Sequence, residues 1–184
     1  EYTVTVEYSN VRVSDSSGTE LSRINDLYKI TNDPIPVDLV IDKTVQGGFG
    51  DKTAEFTYTL SVEHAKPNTT YTIEKSDGSV EVTSDEAGAI TTEITLKHNE
   101  SATVKGLPYN AEAVIVEAAN EHAASYTVTR NQRIKDAKSN VLRNTELATG
   151  KIKLDGNHEV HFVNTYENLP PTGIANKDKL MVLV

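Results

Sequence analysis

The sequence predicts an all-β protein, an antiparallel β-sandwich with at most one short helix. Three observations carry this. Short runs of alternating apolar and polar residues recur along the 184-residue chain, with turn-forming residues between them. Thr and Val are abundant while Met occurs once and Trp not at all, a usage that suits strands better than helices. Only Glu117–Ala124 (Glu-Ala-Ala-Asn-Glu-His-Ala-Ala) has helical composition, and it is short.

In chain order, alternation predicts strands over Tyr2–Val6, Val37–Val45, Ala54–Val62, Tyr71–Glu74 and Val80–Thr83. It continues over Ala89–Leu96, Ser101–Lys105, Ala111–Glu117, Ser125–Arg130 and Glu159–Tyr166. Ser76-Asp77-Gly78-Ser79 reads as a hairpin turn and Gly47-Gly48-Phe49-Gly50-Asp51 as a loop. Tyr2-Thr3-Val4-Thr5 repeats as Tyr126-Thr127-Val128-Thr129, and Tyr28–Asn32 answers Val160–Asn164. Residues 1–33 are therefore expected to be the last strands of a preceding, similar domain. Residues 34–36 are read as a proline-stiffened linker and residues 37–168 as the complete domain.

Composition narrows the function. With no Cys, neither a disulfide framework nor a thiolate metal site is available. A net charge of −9 argues against nucleic acid, whose phosphates want clustered Lys and Arg. His158 and His161 fall on opposite faces of a strand by parity and make a poor metal pair. No Ser-His-Asp order or phosphate-binding Gly loop is legible, so no cofactor, metal or turnover enzyme is expected.

Three polar residues break the apolar register. Alternate positions on the first domain strand are Val37, Leu39, Ile41, Lys43 and Val45. The corresponding sets elsewhere are Ala111, Ala113, Ile115 and Glu117, and Val160, Phe162, Asn164 and Tyr166. Each of the three alone has a bland reading: a snorkelling lysine, a helix-capping glutamate, a turn asparagine. Together they suggest one buried site, because an isolated buried Lys or Glu is costly and neutralises or finds a partner.

Near the C-terminus Leu169-Pro170-Pro171-Thr172-Gly173 reads as LPxTG and resembles the recognition site of sortase transpeptidases in Gram-positive bacteria. Two prolines keep the segment extended, and Gly173 leaves room for attack on the Thr172 carbonyl. An apolar run begins at Leu180, but a membrane span needs ~20 such residues. The chain is expected to be a piece of a longer secreted precursor, meeting the membrane only through a sorting span outside these residues.

Further stretches resemble the isopeptide-linkage domain of Gram-positive pilins and surface adhesins. They are Ile41–Val45, Phe49–Thr53, Phe56–Leu60, Leu107-Pro108-Tyr109, Val114–Glu117, Tyr126–Thr129 and Phe162–Thr165, in that order. The resemblance implies an immunoglobulin-like sandwich of the collagen-adhesin B type. It also implies a covalent bond between Lys43 and Asn164, assisted by Glu117. One departure is Ala118, where many relatives carry a second acidic residue. Burial lowers a lysine pKa and raises that of a carboxylic acid, so a neutral lysine can attack a carboxamide while the acid shuttles protons. That is a single-turnover self-modification. The expected protein is an extracellular, wall-anchored or pilus-borne structural module. Its expected partners are a sortase and either a peptidoglycan precursor or neighbouring pilin subunits. The alternative is the wall-proximal stalk of an adhesin whose binding domain lies upstream. No Tyr-Pro-Lys type motif marks an acceptor lysine for polymerisation.

Overall fold

The computed structural model describes residues 35–166 continuously, and the stretches 3–7, 10–14, 17–20, 23–24 and 27–28 before them. The chain divides into two compact units, Glu1–Pro34 and Ile35–Val184.

In the first unit, β1 (Thr3–Glu7) pairs antiparallel with β2 (Asn10–Ser14) through a two-residue connection. The short β3 (Arg23–Ile24) and β4 (Leu27–Tyr28) form a second pair.

The second unit is an all-β sandwich. Its strands are β5 (Val37–Gln46), β6 (Phe56–Glu63), β7 (Thr70–Lys75), β8 (Gly78–Thr83), β9 (Ile90–Leu96) and β10 (Ser101–Leu107). They continue as β11 (Glu112–Glu117), β12 (Ala123–Arg130), β13 (Arg133–Val141), β14 (Leu147–Ala148), β15 (Ile152–Lys153) and β16 (His158–Thr165). One sheet has the order β13-β12-β16-β5-β10-β7-β8 and the other β14-β11-β6-β9, with β15 also on β11. Alternation decides which side chains lie between the sheets. On β5, Val37, Leu39, Ile41, Lys43 and Val45 are buried, and on β6, Phe56, Tyr58, Leu60 and Val62. The sheets meet through contacts such as Tyr58 on Phe162, with ring centroids 4.8 Å apart.

All pairings within the sheets are antiparallel except one. The first and last strands of the domain, β5 and β16, run parallel, with Phe162 opposite Lys43 and Asn164 opposite Val45. A parallel pair needs a long crossover, here the whole of the domain between them. The chain leaves β5 through the glycine-rich loop. A Cβ on Gly50 would lie 2.6 Å from the Gln46 carbonyl oxygen and 2.8 Å from Val45 Cγ1, so only glycine fits.

The fold class is as expected, with at most one short helix allowed for, and two local details refine the reading. Among the described residues there is no helix. Glu117 remains in β11, paired with Tyr58 and Leu147, and the Ala118 N–H donates to the Thr57 carbonyl. Ala123 and Ala124 pair with Thr165 and Asn164. Ladder hydrogen bonds to neighbouring strands thus override the local preference of Glu117–Ala124. Sequence alternation also missed β13. Its residues 133–139 are exposed at the sheet edge, so neither face demands a hydrophobe.

Candidate functional site

Lys43, Glu117 and Asn164 are brought together between the two sheets. Each is a core-facing position of its strand, and each is buried, at 1%, 1% and 0% exposure. Lys43 and Asn164 come from neighbouring strands of one sheet, while Glu117 reaches across from the other. Lys43 Nζ donates to Glu117 Oε1 at 2.9 Å, and Asn164 Nδ2 donates to the same oxygen at 2.7 Å. One carboxylate oxygen therefore bridges an amine and a carboxamide nitrogen. Glu117 Oε2 and Asn164 Oδ1 are buried without a hydrogen-bond partner.

Aromatic groups wall the site. Lys43 Nζ lies 3.9 Å from the centroid of the Phe56 ring and 5.7 Å from that of Tyr58. The buried His122 ring packs on Phe56 and Tyr166, and neither of its nitrogens has a partner. Burial lowers the Lys43 pKa from its ordinary 10.5 to about 8, against the opposing charge and hydrogen bond of Glu117. Burial likewise lowers the His122 pKa, with the Lys43 and Arg143 charges acting in the same direction and Glu121 and Glu117 against it. Tyr58 is pushed up, first by burial and then by the charges of Glu117 and Asp42.

Asn120 also belongs to the site, and alternation could not find it. It lies in the loop between β11 and β12, where no periodicity operates. Its Oδ1 accepts from Asn164 Nδ2 at 3.1 Å and from the His122 backbone N–H at 2.9 Å. Its Nδ2 donates to Glu117 Oε1 at 3.3 Å and to the Ala118 carbonyl at 3.1 Å. The available signal was chemical: an amide residue three positions after a glutamate in core register.

His158 is buried, and its Nδ1 lies 2.9 Å from the Gly156 carbonyl oxygen. His161 points the other way and contacts Asp42. Among the described residues no cluster of His, Asp or Glu has the makings of a metal site. Leu169, Pro170, Pro171, Thr172 and Gly173 lie outside the described residues.

Solved structures with a similar fold include streptococcal pilins. The major pilin of Streptococcus pyogenes superposes with a TM-score of 0.60 at 16% identity, covering 91% of this chain and 65% of that one. A point variant of a major pilin from Streptococcus pyogenes gives 0.62 at 19% identity, with 87% and 56% covered. The T-13 major pilin of Streptococcus pyogenes gives 0.53 at 20% identity, with 71% and 45% covered. The chain thus spans less than two thirds of each of these pilins, and at such identities the likeness is one of fold. No curated protein matches. Residues 37–166, the whole sandwich from β5 to just past β16, match one family model, and the chain belongs to that family, described as a domain of unknown function (DUF7601).

Proposed function

We propose that this domain is a load-bearing module of a bacterial surface fibre or stalk, locked by a covalent bond between Lys43 and Asn164. The observation that carries the reading is the shared oxygen, Glu117 Oε1, within hydrogen-bond reach of both Lys43 Nζ and Asn164 Nδ2. The pilin-like fold and the LPxTG segment support placement outside the cell and attachment by a sortase.

The chemistry needs two protons to leave Lys43 Nζ, both by way of Glu117. Lys43 passes a proton to Glu117, which frees the Nζ lone pair. Nζ attacks the Asn164 side-chain carbonyl carbon, and a tetrahedral intermediate forms. Glu117 delivers its proton to Nδ2 and, as a carboxylate again, accepts the second proton from the attacking nitrogen. The carbon–Nδ2 bond breaks and ammonia leaves. One C–N bond forms, one breaks, and nothing is oxidised or reduced. The lowered Lys43 pKa makes the neutral amine accessible near neutral pH. The fold supplies proximity, which is worth ~7–11 kcal/mol of barrier when the reacting groups are well oriented.

Topology makes the bond mechanically useful. Tension between the ends of the domain shears β5 against its parallel neighbour β16. With Lys43 bonded to Asn164, the covalent load path runs from Val37 to Lys43, crosses to Asn164 and leaves at Thr165. The intervening core carries no load. On this reading residues 1–33 are the closing strands of a preceding module in the same stalk.

Intact-mass spectrometry of the folded chain tests the proposal. The expected mass is one ammonia below that of the sequence, with a branched tryptic peptide joining the Lys43 and Asn164 segments. The full sequence mass in well-folded protein overturns it.

A further inference from the structure

Asn120 is tied into the site by four hydrogen bonds, yet the proton relay just described does not use it. Its orientation is set by the backbone. The His122 N–H can only donate, so the Asn120 atom it meets, at 2.9 Å, is the oxygen. The other end of the carboxamide must then be the nitrogen, which donates to the Ala118 carbonyl at 3.1 Å. With both ends pinned, Oδ1 presents an acceptor to Asn164, 3.1 Å from Nδ2. Glu117 Oε1 presents a second acceptor to the same nitrogen at 2.7 Å. Two acceptors fix which end of the Asn164 carboxamide faces Glu117 and Asn120. The carbonyl oxygen is turned away, and it is the atom left without a partner.

We propose that Asn120 is the positioning residue for the leaving group: its Oδ1 holds the Asn164 nitrogen against Glu117 so that the departing amide is protonated and released as ammonia. The inference rests on the crosslinking reading. In the reaction Nδ2 keeps its two hydrogens, receives a third from Glu117 and loses its bond to the Asn164 carbon. A hydrogen bond to Oδ1 favours this step, because an acceptor stabilises N–H groups as the nitrogen gains positive character. Asn120 is also half-exposed, and Ala118 and Ala119 beside it are exposed. The leaving nitrogen, itself buried, is therefore hydrogen-bonded to a residue that reaches solvent.

The test follows ammonia loss by intact mass in the full chain, sampled over time after a pulse of cell-free synthesis, across a range of pH. Folding is monitored separately by circular dichroism. Asn120→Ala is expected to fold and to crosslink about tenfold more slowly, the effect of one lost hydrogen bond to a reacting group. Its pH profile is expected to keep the wild-type shape. Asn120→Asp keeps an acceptor for both His122 and Asn164 but adds a negative charge beside Lys43 and Glu117. It is expected to crosslink faster than the alanine variant at high pH, with its profile displaced to higher pH because Lys43 holds its proton longer. A purely structural role in the loop would leave the rate per folded molecule of the alanine variant at the wild-type value. Wild-type kinetics in folded Asn120→Ala overturn the assignment, as does an aspartate variant as slow as alanine at every pH. If alanine prevents folding, Asn120→Leu, close in size but without an acceptor, takes its place: slow crosslinking in the folded variant supports the proposal and wild-type kinetics overturn it. Failure of the underlying reading is a separate result, seen as full sequence mass in the wild-type chain itself.

Discussion

Lys43 and Asn164 sit on adjacent parallel strands, one side-chain repeat apart. Phe162 is opposite Lys43, and Asn164 is the next residue of β16 on the same face. This stagger lets both side chains lean toward the sheet across from them and meet the same Glu117 oxygen.

Glu117→Ala removes the proton relay and leaves the strands intact. The variant is expected to fold and to retain the full sequence mass. Its stability should fall by at least ~4–5 kcal/mol. That is the value of closing a loop of roughly a hundred residues, by analogy with disulfides, and the buried Lys43 is also left without its ion-pair partner. Chemical denaturation with intact-mass analysis measures both, and ammonia loss at the wild-type rate in this variant would remove Glu117 from the mechanism.

Asn164→Ala exposes the cost of a buried amine. Its Lys43 stays titratable. The unfolded chain holds that proton up to about pH 10.5, whereas the folded site releases it near pH 8. Between these values the unfolded state binds more protons, so stability should rise with pH by on the order of 3 kcal/mol. Adding Lys43→Met should abolish the rise. So should the crosslink itself, since an amide nitrogen does not titrate. Urea melts at a series of pH values compare the three proteins, and equal slopes in all of them would contradict the assignment.

Tyr58→Phe should be neutral or stabilising by about 1 kcal/mol. The Tyr58 hydroxyl is fully buried and has no hydrogen-bond partner, so its removal relieves an unsatisfied polar group and leaves the ring on Phe162. Crosslinking should persist. A loss of several kcal/mol on denaturation would mean that the hydroxyl has a partner in solution, such as an ordered water.

Thr172 is the expected acyl donor in anchoring. A sortase of matching specificity, given an amine nucleophile, should cut between Thr172 and Gly173 and leave Thr172 amide-linked. Leu169→Ala or Thr172→Ala should abolish the reaction while the sandwich keeps its mass and stability. Resistance of the intact motif to transpeptidation would leave the crosslinked sandwich without its anchor.

The period of two along each strand was enough to sort side chains into inward and outward sets, and so to single out Lys43, Glu117 and Asn164 as polar residues in core register. That inference is local: each strand's pleat is determined by its own residues. It failed where local signals were absent or misleading. Residues 133–139 of β13 show no alternation because solvent meets both their faces. Glu117–Ala124 has helical composition, but its ends are claimed by ladders to Tyr58, Leu147, Asn164 and Thr165. Adjacency is a different kind of fact. That β16 lies parallel beside β5 depends on pairings between residues more than a hundred positions apart, and Glu117 meets Lys43 and Asn164 across 74 and 47 positions. Such contacts are decided by how the two sheets share one core, not by any single segment. Asn120 lies furthest from sequence legibility: its place is set by the His122 and Ala118 backbone and by side chains from two other strands. Sequence alone determined which residues were out of place in an apolar interior. Only the tertiary structure decided that they were out of place together, because burial makes them costly apart and the fold makes them partners.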